Sequence, residues 1–173
     1  MQLTTEFSGW KELSFTIAQT VNGKQNFRWQ FLRSGYLVRL TRDDAADWFL
    51  LHAPKRSHKG QRATAAITCE HLCSLLSKKN LYLTFDDTNG IGTAQYLLEQ
   101  ALAGTGWSLG YCETFYEADG TTEKIRSLSS DGKAGAYQLV ADICKIFSAR
   151  PEYDGDARKV HIYSLNRYDE LLE

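Results

Sequence analysis

Proline is almost missing from this chain, with two in 173 residues, which leaves no room for a Pro-rich linker or a polyproline recognition segment. Long apolar runs are missing too. None approaches the ~20 residues that cross a bilayer, and the N-terminus lacks the charged-then-apolar pattern of a secretory signal. Cysteine is scarce, at Cys69, Cys73, Cys112 and Cys144. Four in a chain of this size do not make a stapled secreted scaffold, and reduced thiols used as small hydrophobes fit better. Excess charge of one sign is absent as well: 20 Lys and Arg meet 21 Asp and Glu, for a net −1. A global attraction to nucleic acid or to an anionic membrane is therefore not indicated. What is present, 43% apolar and 24% charged residues, is the composition of a globular chain made in a cytoplasm, long enough for one sizeable core or two small lobes.

Alternation dominates the first 85 residues. Leu13, Phe15 and Ile17 alternate with Glu12, Ser14 and Thr16, as on a strand with one wet face. Asn22-Gly23 is a hairpin turn signal. Tyr36, Val38 and Leu40 alternate next, then a more apolar strand runs from Trp48 to Leu51. A polar, basic loop is expected from Pro54 to Arg62, then a strand through Ala65, Ala66 and Ile67, a helix over 70–78, and the strand Leu81–Phe85. From residue 86 the pattern turns helical. Thr93 can cap a helix whose apolar stripe is Ala94, Leu97, Leu98, Ala101 and Leu102. Gly104 can end it in the left-handed conformation, and Trp107, Leu109 and Tyr111 alternate as a half-buried strand. A polar hairpin at Asp119-Gly120 precedes a second helix, with Ala136, Leu139, Val140, Ile143, Cys144 and Phe147 at helical spacing. Strands over 150–153 and 159–164, joined at Asp154-Gly155, close the pattern. The expected class is α+β: a β-rich, barrel-like lobe over residues 1–85, then an α/β lobe with two amphipathic helices over 86–173. Tyr168–Leu172 can begin another element, which suits a piece of a longer protein.

Candidate chemistry is thin. Cys69, His71 and Cys73 are the nearest approach to a metal cluster, but on a helix Cys69 and Cys73 share a face that His71 does not, so Cys69, Leu72, Cys73 and Leu76 read as core. Lys55, Arg56, His58, Lys59 and Arg62 form the one dense basic run; phosphate contact, a partner protein and a solvated loop all stay open there. The carboxylate groups Asp43-Asp44, Asp86-Asp87 and Glu152/Asp154/Asp156 sit in turn-like contexts more than in a demonstrable acid pair. Gly90-Ile91-Gly92-Thr93 precedes a helix, without the complete glycine fingerprint of a phosphate loop or its Lys-Ser/Thr ending. Tyr36, Trp48, Tyr82, Trp107 and Tyr111 fit cross-strand pairs better than a sugar-stacking surface. No residue is assigned as catalytic, cofactor-binding or metal-ligating.

Taken in order, several segments resemble the N-terminal region of the tail-tip hub proteins of phages and prophages, the siphophage minor structural, tail-associated lysin or prophage endopeptidase tail family. They are Lys11–Thr16, Asp47–Leu51, the strand-to-helix step Ala66–Leu72, the run from Ala94 through Gly104-Thr105-Gly106-Trp107 to Gly110, and the helix 136–147 leading into Pro151–Gly155 and Lys159–Ile162. The chain begins inside the family pattern and stops before its second half. The resemblance implies a non-enzymatic structural module built of barrel-like lobes with α/β insertions and related to baseplate hubs. It implies a homotrimer at the virion tail tip, beside the distal tail protein and the tape-measure protein, made in the bacterial cytoplasm, with DNA in transit as the only nucleic acid it meets. A cell-wall hydrolase or peptidase and a carbohydrate-binding module of the tail are the alternatives.

Overall fold

The structure is a computed structural model that describes residues 1–6, 8–42, 45–59, 62–78 and 84–165. The expected strand over 81–83, the Asp43-Asp44 pair, Tyr82 and the possible element at 168–172 lie outside the described residues. The chain divides into two compact units, one of residues 1–6 and 10–72 and one that takes residues 7–9 and everything from 73 onward. The division falls ahead of the expected junction at residue 85.

The first unit is a six-stranded antiparallel sheet: β1 (Gln2–Thr5), β2 (Lys11–Ala18), β3 (Leu37–Arg42), β4 (Ala45–Leu51), β5 (Lys55–Lys59) and β6 (Arg62–His71). The spatial order is β1-β2-β6-β4-β3, with β5 also paired to β6. Alternation decides what each strand buries. On β6, Ala63, Ala65, Ile67, Cys69 and His71 are buried, while Ala66 and Thr68 between them are exposed. Leu13 lies opposite Cys69 and Phe15 opposite Ile67, so β2 adds its apolar side to the same face. Leu32, at the end of the 3₁₀ turn Phe27–Phe31, packs into this face with Phe49 and Leu51, and Trp29 of the turn covers it. The Asn26 side chain caps the turn by accepting from the Arg28 N–H at 3.1 Å. Asn22-Gly23 makes the expected hairpin, with both residues at positive φ between Thr20–Val21 and Lys24–Gln25.

Three expectations are corrected here. The sheet is open, not barrel-like: β1 pairs only with β2, has four exposed residues, and does not reach β3, so the closure a barrel needs is not made. The basic segment after Pro54 is a strand, not a loop; β5 pairs residue by residue with β6 from Lys55–Ala66 to Lys59–Arg62. The helix expected over 70–78 is the single turn α1 (Ser74–Ser77), because residues up to His71 stay in β6 and continue its inward alternation.

The second unit holds α2 (Ala94–Leu102), β7 (Ser108–Cys112), α3 (Ala136–Phe147), β8 (Ala149–Asp154) and β9 (Lys159–Ser164). The strands order β7-β9-β8, with β9 parallel to β7 and antiparallel to β8. The predicted stripes of α2 and α3 are buried in full. The helices pack on each other, α2 on β7 and α3 on β8, over Tyr153, Val160 and Ile162. No helix among the described residues is long and apolar enough to cross a membrane. Thr93 caps α2 by accepting from the Tyr96 N–H at 3.3 Å, and Gly104 takes positive φ beyond its end. Tyr111 departs from the expected half-buried pattern: a register shift between Leu109 and Cys112 breaks the alternation, and Tyr111 is exposed, stacked on Tyr163.

Helix α3 ends on Ser148, which holds a left-handed φ of 56° while its N–H caps the Cys144 and Lys145 carbonyls. Glycine takes that conformation without the Cβ penalty. Ser148→Gly is expected to stabilise the protein by about 0.5–1 kcal/mol, the left-handed penalty less glycine's own entropic cost. A raised urea midpoint at unchanged slope checks this; a lowered midpoint contradicts it.

Candidate functional site

The charged cluster with the deepest burial is in the first unit, where three strands meet. Lys11 opens β2, Asp47 lies on the inward side of β4 and His71 ends β6. The Asp47 carboxylate accepts from the Lys11 ammonium at 2.7 Å through Oδ2 and meets His71 Nε2 at 2.5 Å through Oδ1. The His71 ring is fully buried, with Phe49, its register partner, edge-on at 5.4 Å. An Asp–His pair is half of a nucleophile-activating array. Here, however, Asp47 holds a partner on each oxygen, Lys11 on one and His71 on the other, and the imidazole is closed off from solvent, so the arrangement joins strands. Burial alone would raise the Asp47 pKa; hydrogen bonding and charge from His71, then from Lys11, more than offset this and hold it below the usual value of 3.8.

A carboxyl whose pKa is lower folded than unfolded binds fewer protons in the native state. Its contribution is therefore complete above the unfolded pKa and fades as pH falls through the folded one. Melting temperatures are expected to drop steeply below about pH 4, with Asp47→Asn flattening part of that limb. Thermal scans of both proteins from neutral to acid pH check it, and parallel acid limbs would contradict it.

Among the described residues, no group of three or more His, Cys, Asp and Glu side chains is placed to hold a metal ion. Cys69 belongs to the first unit and Cys73 to the second. The strand also changes the expected geometry: Cys69 and His71 share the inward face of β6, where a helix would have set them apart. Burial pushes the Cys69 thiol up to about 11, with a further push from Glu12. Burial likewise takes Cys112 to about 11 and Cys144 to about 12. At neutral pH a thiol held that high stays protonated, which makes it a poor nucleophile.

The carboxylate groups build turns. Asp86 Oδ1 accepts from the N–H groups of Thr88 and Asn89, and Asp154 Oδ1 from those of Asp156 and Ala157. Asp119 takes the N–H groups of Thr121 and Thr122, and with the Thr122 hydroxyl these hold its carboxyl down at about 2. In Gly90-Ile91-Gly92-Thr93 the glycines serve close packing: Gly90 against backbone oxygens, Gly92 against the Tyr96 ring. Of the aromatic candidates, Trp107 is buried edge-on to Tyr153 and Trp48 lies under the Arg39 guanidinium at 5.8 Å. Tyr36 and Tyr111 are exposed but belong to different units.

The basic run is brought together with something the sequence did not single out. All five residues of β5 are exposed, and Arg56 lies over the Trp29 ring of the 3₁₀ turn at 5.5 Å. The turn itself exposes Phe27 and Phe31, with Arg28 over the Phe27 ring. A cationic strand and an aromatic turn thus form one continuous surface, which suits recognition more than chemistry.

No protein-family model matches the chain, and no curated protein matches it. Among solved structures, the tail protein from Neisseria meningitidis MC58 superposes with a TM-score of 0.61 at 9% identity, over 92% of this chain and 44% of that one. The chain has the fold of that tail protein. It spans less than half of its length. The 43 kDa tail protein of prophage MuSo2 from Shewanella oneidensis superposes with a TM-score of 0.48 at 10% identity, over 92% of this chain and 48% of that one.

Proposed function

We propose that this chain is a structural component of a phage or prophage tail, a hub module at the tail tip that acts by packing against its neighbours and not by catalysis. The observation that carries this is the fold shared with the Neisseria tail protein over 92% of the chain. The ordered hub-like segments of the sequence supply the finer position. In this reading three copies assemble at the distal end of the tail, beside the distal tail protein and the end of the tape-measure protein. Contacts are made through open sheet edges such as β1 and through the exposed β5 strand and the Asp119–Thr122 turn. Open edges need a partner, and a ring supplies one to each copy. The surface features agree with this role, since the exposed groups are aromatic, cationic and turn-forming.

The test is to purify tails from an induced producer strain and locate the chain by antibody labelling and quantitative mass spectrometry. Label at the distal tip with three copies per tail is expected. Absence from tails, or release of peptidoglycan fragments by the purified chain, overturns the proposal.

A further inference from the structure

The near-zero net charge conceals a division. The first unit holds ten Lys and Arg against six Asp and Glu, and the second holds ten against fifteen. The two therefore carry formal charges of +4 and −5. From Leu13 to Arg42 there is no acidic residue. This is the stretch that contains the aromatic turn, with Phe27 68% and Phe31 52% exposed. Among the described residues, Lys24, Arg28, Arg33 and Arg56 have no carboxylate partner. Exposed rings with the Arg28 and Arg56 guanidinium groups lying on the aromatics of the same turn have the character of an interface, since aromatic residues and Arg anchor interfaces.

The second unit carries a counterpart. Residues 113–123 contain Glu113, Glu117, Asp119 and Glu123, folded as a hairpin by the Tyr116–Glu123 bridge. Tyr116 and Ile125 stand exposed on and beside it, at 51% and 55%. Lys124 and Arg126 flank Ile125, and Arg126 pairs with Glu117 at 2.6 Å. Residues 113–126 still carry a net charge of −2, so the patch is opposite in sign to the first, with Glu123 as its unpaired carboxylate among the described residues.

We propose that the basic aromatic face around Phe27 and Arg28 in one copy docks on the acidic hairpin around Tyr116 and Glu123 of the next. This rests on the tail-assembly reading and names the surfaces it would use. The two faces differ, so the contact is heterologous, and it closes into a ring when the rotation between copies permits. Opposite charge steers the encounter and excludes the reversed pairing, in which like faces meet. A second copy fits better than nucleic acid, because each copy carries both faces, basic in one unit and acidic in the other, and the chain has no net positive charge to attract phosphates.

The experiment is sedimentation of the full chain across salt, with charge reversals. An oligomer is expected at about 50 mM NaCl, falling toward the 19.6 kDa monomer at about 0.5 M as charges are screened. Arg28→Glu and Glu123→Lys should each weaken self-association about tenfold or more, and mixing the two variants should restore a mixed oligomer. Circular dichroism identifies any variant that fails to fold, and Arg56→Glu then serves as the second probe of the basic face. The proposal is overturned if the chain is monomeric at every salt and concentration, or if assembly ignores salt and all the reversals. It is also overturned if the monomer binds a labelled dT20 oligonucleotide and loses it in Arg28→Glu. Failure here is separable from failure of the tail reading. Tails that incorporate Arg28→Glu in normal copy number sink this contact alone, whereas tails without the wild-type chain sink the broader role.

Discussion

Asp47→Ala is expected to destabilise the first unit by about 3 kcal/mol at neutral pH. The carboxylate sits between partners on two other strands, Lys11 at the start of β2 and His71 at the end of β6. Removing it takes the short hydrogen bond to Asp47 away from the fully buried His71 ring, and a hydrogen bond lost in a buried site costs more than one lost in water. It also removes a tie among β2, β4 and β6 at one end of the open sheet. Asp47→Asn keeps the shape and one acceptor and should cost roughly half as much, about 1.5 kcal/mol. Urea unfolding followed by circular dichroism reads both. A loss below about 1 kcal/mol for the alanine variant would mean that water replaces the carboxylate, and that the cluster is peripheral to stability.

This cluster was also the least legible part of the sequence. Asp47 and His71 are 24 residues apart, and only the β4–β6 register, with Phe49 opposite His71, brings them together. His71 is polar, so the inward series Ala63, Ala65, Ile67, Cys69, His71 does not end on an apolar residue. Cys69, Leu72, Cys73 and Leu76 then matched a helix equally well. Strand β5 was hidden for a related reason: its side chains are polar and exposed on both faces, and it exists by hydrogen bonding to β6 with no apolar alternation to announce it. The elements that read correctly each carry a local signal of their own, an apolar face, a cap or a turn. Strand β2 shows its alternation, α2 has Thr93 at its start, α3 has a complete apolar stripe, and Asn22-Gly23 fixes a hairpin. Barrel closure depends on whether β1 and β3 meet, a long-range pairing that local pattern does not encode. The charge division was present in the sequence but averaged away, and it shows only when the residues are assigned to two units.

The second large effect is expected at Gly90, where nothing is exposed and no charge is involved. A Cβ there would run into the Leu128 carbonyl oxygen and lie 2.6 Å from that of Asp86. Both are backbone atoms, which cannot swing aside as a side chain can. Both residues also hydrogen-bond to Gly90: its N–H donates to Asp86 O at 2.7 Å, and its carbonyl accepts from the Leu128 N–H at 2.7 Å. Relieving the clash breaks one or both bonds, so Gly90→Ala should cost about 3 kcal/mol, at the upper end for overpacking. Gly104→Ala is the control. It has positive φ but open space around it, so only the left-handed strain applies, about 1 kcal/mol. The damage at Gly90 should also spread. Ile91-Gly92 pairs with Arg126-Ser127, directly after the acidic hairpin and directly before the Thr93 cap of α2. A displaced Gly90 therefore moves the strand that positions Glu123 and Ile125, and self-association should weaken under conditions where the variant is still folded. If Gly90→Ala instead unfolds at the wild-type urea midpoint, the 84–92 turn yields easily, and its close backbone packing does not hold the hairpin in place.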